Sequence, residues 1–186
     1  LDYIGKMPLQ FNAEFPTEMR RHDPSVTVVD IMVAQRHSGG WGGGHSSLAN
    51  GSFPNASVME NFNTMELYMH HGCSEHRDRY QKSDGSYGGC HEWDYSQYMQ
   101  ICDEVGNAST CGTEFGYWIT TYGREGRWLT DISPRLFELQ EGGEHMFRYR
   151  GANGGWLNVS VYLSNWDDDG LRPTYGELAF NGGSFR

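Results

Sequence analysis

The stretch Asn158-Val159-Ser160-Val161-Tyr162-Leu163 decides the fold class, because its apolar side chains recur at every second position. Successive side chains of a β-strand point to opposite faces, so Val159, Val161 and Leu163 are predicted to share one buried face. Comparable segments precede it at intervals of about 10 to 15 residues, without helical periodicity of useful length between them. They are residues 65–69, 95–105, 115–122, 128–132 and 145–149. The sequence therefore predicts an all-β, antiparallel β-sandwich.

The composition agrees with this fold class and excludes two kinds of partner. Glycine occurs 25 times, aromatic residues make up 14% and charged residues 20% of the 186 residues, a balance that favours short strands and tight turns. The net charge of −10 leaves no excess of lysine and arginine to bind nucleic-acid phosphates or anionic lipids. No apolar run reaches the roughly 18 to 20 residues that cross a bilayer. We expect neither nucleic-acid binding nor membrane insertion.

The N-terminal region separates into an arm and the start of the domain. Apolar and polar residues alternate from Leu9 to Phe15 and stop at Pro16, which predicts one strand. We assign residues 1–24 to an arm that carries this strand and residues 25–186 to a single sandwich domain. The arm strand needs a sheet edge, which its own domain or a neighbouring copy could provide. The second arrangement would join copies head to tail into a filament.

Three further segments predict how the domain is built. The almost continuously apolar run 26–33 predicts a strand that is buried on both faces, in the middle of a sheet. The glycine-rich segment 38–52 predicts a long surface loop. The polar segment 74–89 predicts a second long loop that ends at Cys90.

The cysteines predict two disulfides. None of the four has the paired CxxC spacing of a zinc ribbon, and all lie within about 40 residues of one another. Each of the pairs Cys73–Cys90 and Cys102–Cys111 closes a local loop. A reducing cytosol would not preserve such bonds, so we expect an oxidising compartment.

Four sequons support the same localisation. The Asn-x-Ser pattern, with no proline at its middle position, marks acceptors for N-glycosylation. The acceptors are Asn50, Asn55, Asn107 and Asn158. We predict a secreted, extracellular glycoprotein in which all four are occupied.

The segment around Cys90 resembles a known family. Cys90-His91-Glu92-Trp93-Asp94 is followed by Glu114-Phe115-Gly116, by Ile119-Thr120-x-Tyr122, and by the segments 128–132 and 139–147 in the same order. This order resembles the N-terminal jelly roll of the bacterial peptide-N-glycosidase F family over residues 65–163. The resemblance implies a jelly roll, with Cys73 and Cys90 bracketing a longer version of the family's disulfide loop.

The same resemblance points to catalytic candidates and to reasons against catalysis. The family's motif aspartate is a key carboxylate for cleaving the glycan–asparagine amide, which implies Asp94 as the first candidate and Glu92 of the same motif as the second. The family's next acid falls at residues 150–152, which contain no carboxylate, and its motif arginine is replaced by Tyr95. The family's second jelly roll has no counterpart in the sequence. We therefore predict no amidase activity from this chain alone.

Aromatic and histidine residues provide two alternatives. Trp41, within the glycine-rich segment, and Trp93 are candidates for stacking on sugar rings. A weak metal-binding candidate consists of histidines near the first disulfide, whose oxidised sulfurs could not serve as ligands. These histidines are His70, His71, His76 and His91. We predict no cofactor and no metal.

Three function classes therefore remain open. The first is a non-catalytic extracellular structural or interaction module that assembles into filaments through its N-terminal strand. The second is a glycan-binding module, and the third is a peptide-N-glycosidase-like amidase. We favour the first class and expect its partners to be further copies of the chain, extracellular glycans or glycoproteins.

Overall fold

The computed structural model describes residues 20–40, 45–91 and 93–165, and within them the chain forms ten strands. They are β1 (Thr27–His37), β2 (Ser46–Phe53), β3 (Thr64–Gly72), β4 (Tyr80–Gln81), β5 (Tyr87–Gly88), β6 (Ser96–Cys102), β7 (Cys111–Ile119), β8 (Gly126–Asp131), β9 (Gly143–Gly151) and β10 (Gly155–Ser164). Two short helices, α1 (Ala56–Met59) and α2 (Leu136–Leu139), lie in the connections. The predicted arm strand before Pro16 lies outside the described residues. No helix in the described part of the chain is long and apolar enough to cross a membrane.

The eight long strands form two four-stranded antiparallel sheets, in the orders β1-β10-β3-β8 and β2-β9-β6-β7. Successive long strands alternate between the sheets, except for the β6–β7 hairpin, whose strands pair directly. This is the strand order of a jelly roll. The predicted all-β antiparallel sandwich is confirmed.

The core lies between the two sheets, and residue alternation decides which side chains enter it. Val159, Val161 and Leu163 of β10 are fully buried, as the stretch 158–163 predicts. Phe147 and Tyr149 of β9 approach from the other sheet and belong to the same cluster. Burial of each such side chain contributes about 1.5 to 3 kcal/mol to folding. The cluster fixes the faces of both sheets and therefore the position of the loops at either end.

Strand β1 corrects one prediction. The apolar run 26–33 predicts a central strand, but β1 is the edge strand of its sheet. Register shifts between Asp30 and Met32, and between Met32 and Gln35, interrupt the alternation. Ile31 and Met32 are therefore both buried although they are neighbours, while Val33 is 67% exposed. An irregular edge strand thus has the same continuous apolar sequence as a central strand.

The two predicted loops both contain strands. β2 occupies the second half of segment 38–52 and pairs with β9 from Ser46 to Phe53. Its residues are mostly small and polar because it is an edge strand with one face in solvent. Gly51 of β2 faces the core, where a Cβ atom would approach Ile31 and Phe147 to between 3.1 and 3.4 Å. The segment 74–89 likewise contains the small β4–β5 hairpin.

The two disulfides lie at opposite ends of the sandwich. Cys102–Cys111 joins the end of β6 to the start of β7, and Cys73–Cys90 closes the loop that follows β3. Both predicted pairings are confirmed. A disulfide typically stabilises a domain by about 2 to 4 kcal/mol, largely by restricting the unfolded chain. Two such bonds indicate an oxidising compartment.

Candidate functional site

The motif at 90–94 lies at the end of the sandwich that the Cys73–Cys90 disulfide closes. β3 ends there, β6 begins there, and the turn 152–154 joins β9 to β10 beside them. Together with the β4–β5 loop, these segments enclose an open groove of about 710 Å³. Its lining includes Glu75, Arg79, Tyr87, His91, Trp93 and Asn153. The fold thus gathers residues from four separate segments of the chain into one concavity.

Trp93 lines this groove and is 58% exposed. Its backbone is held in place, because its carbonyl accepts a hydrogen bond from Asn153 Nδ2 at 3.0 Å. Two residues later, Tyr95 exchanges hydrogen bonds with Thr120: the Tyr95 N–H donates to Thr120 Oγ1 and the Thr120 N–H donates to the Tyr95 carbonyl, each at 2.9 Å. The segment is therefore anchored on both sides of Asp94, while the indole is left to solvent.

Asn153 provides the main anchor and was not predicted from the sequence. It is 3% exposed, and its Nδ2 donates to Thr120 Oγ1 at 2.7 Å as well as to the Trp93 carbonyl. A carbonyl oxygen only accepts, so the contact with Trp93 fixes which end of the amide carries the hydrogens. A single asparagine in a glycine-rich turn gives no sequence signal for this role, because asparagine is common in turns for local reasons.

A buried glutamine supports the turn from below. Gln97 of β6 is 1% exposed, and its Oε1 accepts a hydrogen bond from the Tyr149 hydroxyl at 2.7 Å. Gly151 lies directly over this amide, and a Cβ atom at Gly151 would overlap the Gln97 side chain. Glycine is therefore required where β9 enters the turn, because any side chain would displace the buried amide.

Three histidines from different elements contact the same turn. His37 Nε2 donates to the Gly151 carbonyl at 3.0 Å, and His37 Nδ1 lies 2.9 Å from Ser47 Oγ. His91 Nε2 accepts from the Gly154 N–H at 3.1 Å, so the ring hydrogen of neutral His91 is on Nδ1. His71 is buried beside the turn and interacts with the backbone of Asn153. Of these contacts, the one in which His91 accepts from Gly154 requires a neutral imidazole.

Burial keeps these imidazoles neutral. Loss of solvent lowers the pKa values of His37 and His91 below the usual value of a histidine. The effect is largest at His71, where burial, reinforced by the neighbouring His37, lowers the pKa from 6.5 to about 4. Protonation would oppose the His91 contact directly, because a charged imidazole has no acceptor for the Gly154 N–H. Acid is therefore expected to loosen this end of the sandwich.

The β4–β5 loop forms the outer wall of the groove. The Arg79 guanidinium lies over the Tyr87 ring, 3.8 Å from its centroid. The backbone N–H of Arg79 donates to the Gly123 carbonyl at 2.8 Å. The Tyr80 hydroxyl donates to Glu75 at 2.6 Å, and this bond holds the pKa of the Glu75 carboxyl below its usual value. The wall thus presents an aromatic ring, a cation and an anion toward the groove.

Of the two predicted catalytic carboxylates, the structure describes Asp94. Asp94 is exposed, and it makes no hydrogen bond or ion pair with another described residue. Its neighbours Trp93 and Tyr95 line the groove, but among the described residues Asp94 does not. Glu92 lies outside the described residues, as does Trp41, the other predicted glycan contact.

The four histidines considered as metal ligands have other contacts. His70 Nε2 lies 3.2 Å from Glu125 Oε2, which lowers the pKa of that carboxyl, and the His76 ring stacks on Trp156. His71 and His91 contact the turn described above. Within the described ranges, the one cluster of ligand atoms close enough to hold an ion is Cys73, Asp78 and Cys90, whose two sulfurs are joined in the disulfide. The structure does not bring the four imidazoles together.

The sequons occupy different environments. Asn55 caps helix α1 and Asn107 lies in the β6–β7 hairpin loop, and both are exposed. Asn50 is exposed on β2, where its amide donates to Glu144 at 2.8 Å. Asn158 lies inside the central strand β10, and its amide contacts His70 at 3.2 Å and accepts from the Ala34 N–H at 2.8 Å. Asn50 and Asn158 thus both lie within strands, whereas Asn55 and Asn107 lie in connections between strands.

An eight-stranded jelly roll with a disulfide-closed loop beside an open groove defines the structural class of this chain. Comparison with solved structures finds a similar fold in recombinant peptide: N-glycanase F (PNGase F), with a TM-score of 0.54 and 17% sequence identity. The match covers 78% of this chain and 43% of that one, so this chain spans less than half the length of PNGase F. No family model matches the chain, and no curated protein sequence matches it. The similarity confirms a PNGase F-like fold.

Proposed function

We propose that this chain is an extracellular, non-catalytic recognition domain that binds glycans in the groove beside Trp93. The observation that carries the proposal is the exposed Trp93 indole on an anchored backbone at the groove. Sugar rings present apolar C–H faces that pack on aromatic rings and hydroxyls that bond to polar groups around them. The groove offers both kinds of contact.

The lining favours a neutral polar ligand. Tyr87, Tyr95 and Trp93 supply aromatic surface, while Glu75 and Arg79 supply an acceptor and a donor of opposite charge. Planar guanidinium and carboxylate groups suit paired hydroxyls. Because the two charges offset each other, selectivity is expected to depend on hydroxyl geometry.

The disposition of carboxylates favours recognition over cleavage. Hydrolysis of a glycan–asparagine amide needs an activated water and a proton donor for the leaving nitrogen. Asp94 supplies one carboxylate, and the segment 150–152, where the similar family places a second, contains none. We therefore propose that this PNGase F-like scaffold binds glycans in its groove and does not cleave them.

The compartment is proposed from the same features. Two disulfides require oxidising conditions, and three exposed sequons on the domain surface suit a protein that passes through the secretory pathway. An extracellular location would place the groove among glycoproteins and free glycans.

The proposal is tested by titrating the protein with a panel of released N-glycans while monitoring tryptophan fluorescence. We expect Trp93→Ala to weaken binding about tenfold, because the stacking surface is lost. Phe137→Ala is the matched control, since Phe137 is also a highly exposed aromatic but lies in α2, away from the groove. Equal affinity of the wild type and Trp93→Ala, or no binding of any glycan, would contradict the proposal.

A further inference from the structure

A second cleft lies on the outer face of the sheet β2-β9-β6-β7. It measures about 380 Å³. Outward-facing residues of β6 form one side and the end of β9 with the following turn forms the other: Ser96, Tyr98, Gln100, Arg150, Gly151 and Ala152. Clefts of this size are within the usual range for small-ligand sites.

This cleft adjoins the groove. Ala152 lines both cavities, and Tyr95 of the groove is followed directly by Ser96 of the cleft. Where the two cavities meet, the shared residue Ala152 contributes only a methyl group. A ligand that fills the groove would therefore lie beside residues that line the cleft.

The cleft repeats the chemistry of the groove. Tyr98 is 40% exposed and packs edge-on against Tyr117, with ring centroids 5.1 Å apart. The Tyr117 hydroxyl is 2.8 Å from Ser96 Oγ, which holds the second ring in place. Arg150 pairs with Tyr98 in the ladder between β6 and β9 and adds a guanidinium to the same surface. An aromatic pair beside hydroxyls and a guanidinium matches a saccharide better than an apolar peptide segment.

The spacing requires more than one sugar ring. Tyr95 and Tyr98 are three residues apart along an extended chain, which corresponds to roughly 10 Å at about 3.3 Å per residue. A monosaccharide in the groove cannot reach Tyr98 across that distance. Only further rings of the same oligosaccharide, or a separate ligand, would contact the cleft.

We propose that the groove and the cleft form one extended site, so that one end of an oligosaccharide stacks on Trp93 and its further rings lie on Tyr98. This inference rests on the proposed glycan-binding function. Tyr98 would then determine how strongly affinity depends on ligand length, because additional sugar rings increase the affinity only if they contact the sheet at Tyr98.

The test compares long and short probes by calorimetry. Released high-mannose and complex N-glycans serve as long probes, and N,N'-diacetylchitobiose and mannobiose as short ones. We expect Tyr98→Ala to weaken the binding of a long probe by about tenfold and to leave the short probes within about twofold, while Trp93→Ala weakens both. Leu48→Ala is the matched control, because Leu48 lies exposed on β2 of the same sheet outside the cleft.

The outcomes separate this inference from the proposed function. If Trp93→Ala weakens binding but Tyr98→Ala changes no probe, or changes long and short probes equally, the extended site is wrong while glycan binding in the groove stands. If no probe binds the wild-type protein, both proposals are wrong. Unchanged far-ultraviolet circular dichroism of Tyr98→Ala, and of Tyr98→Phe as a variant that keeps the ring, would exclude misfolding as the cause of a loss.

Discussion

Acid should destabilise this domain through His71, because burial lowers the pKa of this histidine in the folded state. His71 is 6% exposed, and its pKa is about 4 in the folded protein against 6.5 in the unfolded chain. The folded state binds the proton less readily, so the stabilisation is fully present above about pH 6.5 and is lost as the pH falls toward about 4. A difference of about 2.5 pKa units corresponds to about 3 kcal/mol, of which about 2 kcal/mol is lost by pH 5.

The measurement is urea unfolding at about pH 7.5 and about pH 5, followed by tryptophan fluorescence. His71→Asn removes the titrating ring and keeps a side-chain donor near the Asn153 backbone. We expect the wild type to lose about 2 kcal/mol more than this variant between the two pH values, in addition to losses of the same sign from His37 and His91. His22→Asn, at an exposed position, is the control and should follow the wild type. Equal losses in the wild type and His71→Asn would refute the reasoning.

Three further predictions concern the backbone, the modifications and the arm. Gly151→Ala should destabilise the domain by about 1 to 3 kcal/mol in urea unfolding, because its Cβ would overlap the buried amide of Gln97. The control Gly112→Ala should be nearly neutral, because a Cβ at Gly112 meets no atom within 4 Å. Glycopeptide mapping of material from a eukaryotic host should find sugar at Asn107 but not at Asn158, because the Asn158 amide is bonded within the sheet. Equal occupancy of the two sites would show that glycosylation precedes the formation of these contacts. A chain that begins at Thr17 should have a smaller oligomeric state by light scattering than the full chain if the N-terminal strand joins copies, and two monomeric forms would exclude assembly through the arm.

The sequence predicts the parts of the fold that follow simple alternation. Val159, Val161 and Leu163 repeat with a period of two on a central strand, and the structure buries all three. The prediction fails where pairing is irregular or a strand has one polar face. Ile31 and Met32 are both buried because of a register shift, which no sequence period reveals.

The sequence predicts the exposed tryptophan of the candidate site. It does not predict the buried residues that hold the neighbouring turn in place. Trp93 is recognisable from its motif, and its exposure agrees with a binding role. Asn153, His37 and His71 act through contacts between segments far apart in the chain, which depend on the jelly-roll topology. Such tertiary contacts leave no local sequence pattern, so these residues could be assigned only from the structure.

The central claim, that a PNGase F-like jelly roll here binds glycans without cleaving them, is tested most directly with an N-glycopeptide on the immobilised protein. We predict that the wild type retains the glycopeptide and that Trp93→Ala retains about tenfold less. The eluted glycopeptide should have its glycan–asparagine bond intact by mass spectrometry. Release of free glycan together with a peptide that carries aspartate in place of asparagine, abolished in Asp94→Asn, would contradict binding without cleavage and identify the chain as an amidase.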